Sequence, residues 1–117
     1  MITEDYVSFE TAKLLKEKGF DGKSCVLYYN EFGEIMPIKH ISSYIECPTQ
    51  QMARKWLRRT HNVNIDIVPI WNQKRFEYQV FVVTPENAKH CYVDDKLYLG
   101  YEEACETAIK YCLENLI

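Results

Sequence analysis

Apolar residues recur at helical spacing in three stretches of the chain. In the first, Phe9, Ala12 and Leu15 repeat with Leu14 alongside, behind Ser8 as an N-cap. This predicts a helix to about Lys18, closed by Gly19 in the left-handed conformation with Phe20 as the accompanying apolar contact. In the second, Thr49 follows Pro48 as an N-cap, and Ala53, Trp56, Leu57 and Thr60 form one face of a helix over 50–61. Asn62 is its left-handed stop, and Trp56 is expected in the core. In the third, Cys105, Ala108, Ile109, Cys112 and Leu116 make a stripe over 101–116. Glu102, Glu103 and Glu106 stand in its first turns, where the helix dipole favours acids, and they are expected to be solvated.

The segments between carry strand patterns. Residues 25–29 are β-branched and aromatic, Glu31–Glu34 supplies a turn, and 35–41 reads as a second strand. Pro37 lacks a ladder donor and assigns that strand to an edge. Residues 42–48 read as a connection. Ile65, Ile67, Ile70 and Trp71 suggest a strand broken at Pro69, Asn72-Gln73-Lys74 is turn chemistry, and 76–83 goes from alternating to fully apolar. Residues 84–95 read as a connector with little period, and 96–99 as one short strand. Helices flank a hairpin instead of alternating with strands. The expected fold is therefore α+β: an antiparallel sheet with a central hairpin, covered on one face by the N-terminal, central and C-terminal helices. No repeat or linker divides residues 1–117, so a single domain is expected.

Composition narrows the class. The chain has 117 residues, 47% of them hydrophobic, with four Gly and four Pro, which suits an ordered globule. Nine tyrosines suit half-buried sheet surfaces. MITEDYVSFE lacks the apolar run of a secretory signal, and no stretch approaches the 18 apolar residues of a membrane span. Five cysteines without a signal read as reduced thiols, and a cytoplasmic setting is expected.

Three segments resemble a group of small uncharacterised proteins carried by prophages and mobile elements of Bacteroides and related bacteria: EDYVSFETAKLLKEKGFD, PTQQMARKWLRRTHN and YEEACETAIKYCLENLI. Gly100 departs from the group's pattern, in which a Ser cap stands before the last helix. The resemblance implies a mobile-element origin and a cytoplasmic setting. It brings no activity, cofactor or catalytic residue.

Charge is segregated. Residues 51–75 hold six basic residues against one acid, net +5, within a chain of net charge −3. The six are Arg54, Lys55, Arg58, Arg59, Lys74 and Arg75, and they are the candidate partner-binding residues. On a helical arc Arg54 and Arg58, and Lys55 and Arg59, lie one turn apart, opposite the Ala53/Trp56/Leu57 stripe, so all four helix cations are expected to face outward. A helix followed by a hairpin resembles the end of a winged-helix module, which suggests nucleic acid. Against this stand an isoelectric point near 5.6 and no second helix before the basic one. A merely solvated face is the plainer alternative.

Other chemistry is sparse. His40, Cys47, His61, His90 and Cys91 are metal-ligand types, but no C-x₂-C or H-x₃-H pair occurs, so no metal is expected. Cys47 precedes a helix start with Arg54 nearby, yet His40 is the only histidine near it in sequence, and an incidental thiol is expected. Cys105 and Cys112 belong to the apolar stripe. Nucleotide-loop, dinucleotide, serine-hydrolase and zinc-protease signatures do not occur. The expected function is non-enzymatic and cofactor-free. It consists of binding a protein partner or another copy of the chain away from membranes, with nucleic-acid binding through the basic helix and hairpin as the alternative.

Overall fold

A computed structural model of the chain describes residues 5–39, 41–83, 88–93 and 96–117, with 88–93 as backbone alone. The elements in order are α1 (Phe9–Glu17), β1 (Tyr28–Tyr29), β2 (Ile35–Met36), β3 (Ile45–Glu46), α2 (Gln50–His61), β4 (Val63–Ile70), a 3₁₀ turn (Trp71–Gln73), β5 (Arg75–Val83), β6 (Ala88–Val93) and α3 (Tyr101–Asn115). The architecture is α+β and antiparallel, with strands divided between two three-stranded sheets, β2-β1-β3 and β4-β5-β6.

Local chemistry sets the helix ends. The Ser8 hydroxyl accepts from the Thr11 N–H, and the Thr49 hydroxyl from the Met52 N–H. Gly19 (φ +88°) and Asn62 (φ 58°) take the left-handed conformation that ends a helix. Phe20 N–H reaches back to the Leu15 carbonyl at 2.9 Å. Pro69 does not break β4, which continues through it to Ile70. β4 is an edge strand of its sheet, where a missing N–H is tolerated.

Two strands differ from the sequence reading. Ile45–Glu46, read as connection, is β3, pairing with β1 over two residues, a length too short to show a period. Ala88–Val93, also read as connection, is β6. Its partner register passes from Val80↔Tyr92 to Phe81↔His90, which leaves Cys91 as an extra residue. A bulge of this kind interrupts the two-residue alternation by which a strand is read. Residues 96–99, read as a strand, hold one bridge, Phe76↔Tyr98, closed by two backbone hydrogen bonds of 2.8 and 2.7 Å.

The inner face of the larger sheet is built from facing pairs. Val63 lies opposite Val82, Ile65 opposite Val80 and Ile67 opposite Tyr78. α3 packs on β4 and β5, and α2 packs on β4 and α3. The first helix is placed differently from the expected single covered face, because α1 packs against α3 and β3. α3 is thus shared by both halves, and Ala104, Cys105, Ala108, Ile109, Cys112 and Leu113 on it are all buried. Its small side chains let neighbouring backbones come close. One hydrophobic core joins Tyr29 and Ile45 of the smaller sheet to Tyr78 and Val80 of the larger.

Glu106 is not the solvated acid that its position predicts. It is half-buried, and its carboxylate accepts from the Ser8 hydroxyl at 2.9 Å, the Ser8 N–H at 3.3 Å and the Thr11 hydroxyl. α3 therefore supplies an anion to the positive end of α1, where both the free N–H groups and the dipole favour it. Lys110 adds an exposed ion pair to Glu10 at 2.8 Å. That contact, through its hydrogen bond first, holds the Glu10 carboxyl below its usual pKa.

Glu106→Ala is expected to cost about 1–3 kcal/mol, because the buried Thr11 hydroxyl and the Ser8 N–H lose a charged acceptor. Glu103→Ala, at an exposed position one turn away, should stay within about 0.5 kcal/mol. Urea unfolding of the two variants checks this, and equal losses would contradict it.

Candidate binding surface

The six candidate cations do not share one face. Arg54 turns inward. Its Nη2 donates to the Ile65 carbonyl of β4 at 2.6 Å, and its Nη1 donates to the Tyr101 hydroxyl at the start of α3 at 3.0 Å. Burial acts to lower its pKa, but the Tyr101 hydroxyl and the neighbouring Cys105 outweigh this, so the guanidinium keeps its charge. The expectation that all four helix cations face outward fails here. A helical arc gives an angle, and at the border of the buried stripe a long arginine side chain can fold toward the core as readily as away.

The stripe itself is narrower than expected. Gln50, Ala53 and Leu57 are the buried residues of α2, and Thr60 is exposed. Trp56, expected in the core, is half-buried at its margin. It packs edge-on to Phe20 with ring centroids 5.6 Å apart and to His61 at 4.8 Å. Its remaining surface forms the wall of a groove of about 470 Å³ between α2 and the segment after α1. Lys55 and Arg59, both exposed, stand on the α2 rim of this groove, and Asp21 and Ser24 stand on the opposite rim. Arg58 is exposed on the same helix.

Lys74 and Arg75 lie elsewhere, at the β4–β5 tip. Lys74 takes the left-handed conformation (φ 51°) that turns the chain back, and the Arg75 guanidinium donates to the Gln73 and Lys74 carbonyls at 3.3 and 3.2 Å. Ile65 is held against Arg54, so the five steps to Ile70 carry the tip ~17 Å further along the strand. Trp71, read from sequence as a strand residue, instead opens the 3₁₀ turn and is 88% exposed. With Pro69, Ile70 and Phe76 it lines an apolar recess of about 280 Å³, edged by Lys74 and Arg75. The signal for its exposure was Pro69 followed closely by Asn72-Gln73-Lys74, which brings the turn forward onto Trp71.

The winged-helix likeness does not survive in three dimensions. β4 and β5 belong to the larger sheet and are packed on α3, instead of forming a wing that projects beside a recognition helix. Residues 31–39 and 41–48 contain β2 and β3 and no helix.

The thiols are enclosed. The thiols of Cys25, Cys47, Cys105 and Cys112 are buried. Burial, then the nearby Glu46, pushes the Cys25 thiol up to about 11. Burial raises Cys47 despite a hydrogen bond with Tyr29 that acts the other way, and raises Cys105 despite Arg54 beside it. His40 and the side chains of His90 and Cys91 lie outside the described residues, among which no group of three or more metal-ligating side chains gathers. Among the described residues no helix is long and apolar enough to cross a membrane.

A short iodoacetamide pulse at pH 8 should leave the Cys25 and Cys47 peptides of the native protein unmodified. Only about a thousandth of the Cys25 thiol, with its pKa near 11, is thiolate at that pH, and Cys47 is protected by its burial. Peptide mass spectrometry reads the result, and labelling of Cys47 at the rate seen in urea would refute its enclosure. No protein-family model matches the chain, and no curated protein or solved structure gives a match to it.

Proposed function

We propose that this chain acts by binding, without catalysis, as a small accessory protein of mobile-element origin in the cytoplasm, and that it engages a protein partner or a second copy of itself. The observation that carries this reading is Trp71, 88% exposed at the β4–β5 tip with Lys74 and Arg75 beside it. Leaving an indole in water forgoes burial worth roughly 1.5–3 kcal/mol for a large apolar side chain. Trp and Arg are also the residues most enriched among those that dominate interface energies. Two cations beside the ring favour an acidic partner surface.

Nucleic acid is the second reading. The same tip supports it, since an exposed indole stacks on unpaired bases while Lys74 and Arg75 meet phosphates. The net charge of −3 and the loss of Arg54 to the interior weigh against it.

A photo-crosslinking amino acid at position 72, next to Trp71, tests both readings in the cell that makes the protein. One dominant protein adduct, or an adduct of twice the chain's mass, is expected, and it should disappear when Trp71→Ala is added. Adducts that ignore Trp71→Ala would overturn the assignment of the tip. Adducts to nucleic acid that weaken steeply with salt would replace the first reading by the second.

A further inference from the structure

The groove beside Trp56 is separate from the hairpin tip, and its chemistry is more specific. Met52, Lys55, Trp56, Arg59 and Thr60 follow the i, i+3, i+4, i+7, i+8 spacing, so they share one face of α2, and that face lines the groove. Three parts are combined there. Trp56 and Phe20 form a wall of aromatic rings held edge-to-face at 5.6 Å. Lys55 and Arg59, one helical turn apart, place two exposed cations on one rim, with Cβ atoms about 5–6 Å apart, close enough to converge on a single tetrahedral anion. On the opposite rim the Asp21 carboxylate and the Ser24 hydroxyl offer acceptors, and Asp21 is already oriented by the Lys23 N–H at 3.0 Å.

We propose that this groove binds a nucleoside phosphate, with the base against Trp56, the phosphate between Lys55 and Arg59, and the sugar or base donors toward Asp21 and Ser24. A planar ring joined to a dianion is the chemistry that uses all three parts at once. The groove's volume of about 470 Å³ lies in the range of small-ligand sites. An extended acidic peptide fits less well, because the cations span one turn of helix and face an acid across the groove. The same nucleoside phosphate can come from a free nucleotide or from a unit of a single strand. His61 also packs edge-on to Trp56, with centroids 4.8 Å apart, and so helps to hold the ring.

The test uses the full chain carrying Trp71→Phe, which leaves Trp56 as the sole tryptophan. Its indole N–H resonance is followed by NMR during titration with AMP, with adenosine, with inorganic phosphate and with a twelve-nucleotide single strand. Saturable movement with AMP is expected, weaker movement with adenosine, and competition by inorganic phosphate. Lys55→Ala and Arg59→Ala, both at exposed positions, should each weaken AMP binding about tenfold, the scale of one lost charge-assisted contact. Response to the strand but not to AMP supports the same site with the polymer as source. No response to either, or adenosine binding as tightly as AMP, would overturn the proposal. So would AMP binding that the two alanine variants leave unchanged. Because Trp71 is already replaced, failure here leaves the hairpin-tip reading standing, and failure of the crosslink leaves this site standing.

Discussion

The Arg54 guanidinium joins three elements: α2 carries it, the β4 carbonyl of Ile65 accepts from it at 2.6 Å, and the Tyr101 hydroxyl of α3 accepts from it at 3.0 Å. The Gln50 amide, donating to the Glu102 carbonyl at 3.0 Å, also ties α2 to α3, one turn away. A charged donor in this position satisfies a carbonyl of the edge strand β4, and hydrogen bonds to charged groups are the stronger kind. Its cost is the desolvation of a cation, including a buried Nε with no hydrogen-bond partner among the described residues, and the two oxygen acceptors on Nη1 and Nη2 offset part of it.

That one side chain also decides what the surface becomes. With Arg54 inside, the basic segment divides into a groove rim of Lys55 and Arg59, an outlying Arg58, and a hairpin tip of Lys74 and Arg75. Each paired cluster stands next to a tryptophan, half-buried in one case and 88% exposed in the other. The two are separated along the strand that Arg54 anchors. A flat electrostatic face, as read from the helical arc, would attract any polyanion. Two small aromatic and cationic sites impose shape as well as charge, and each can take a different ligand.

The sequence carried most of the fold and less of the site. Helix ends were legible because caps are local: Ser8, Thr49, Gly19 and Asn62 act through neighbours a few residues away. The hairpin was legible because β4 and β5 are long and mostly alternate. β6 was not, because the bulge at Cys91 breaks its period, and β3 was not, because two residues have no period. Glu106 was misread for a different reason. Its partners Ser8 and Thr11 lie almost a hundred residues away, and no local pattern shows such a contact. The candidate cations were found by charge alone, which is blind to depth. Arg54 and Trp56 both sit at the margin of the buried stripe, where the packing of β4 and α1, not the helix period, settles which way each side chain goes.

The direct measurement is the unfolding free energy of Arg54→Gln beside that of Arg58→Gln, by urea titration. The neutral amide removes the charge and cannot reach both the Ile65 carbonyl and the Tyr101 hydroxyl, so a loss of about 2–4 kcal/mol is predicted for Arg54→Gln. Arg58 is exposed, and its replacement should change stability by no more than about 0.5 kcal/mol. Equal, small losses at both positions would mean that Arg54 is one more surface cation, and that the basic face is continuous after all.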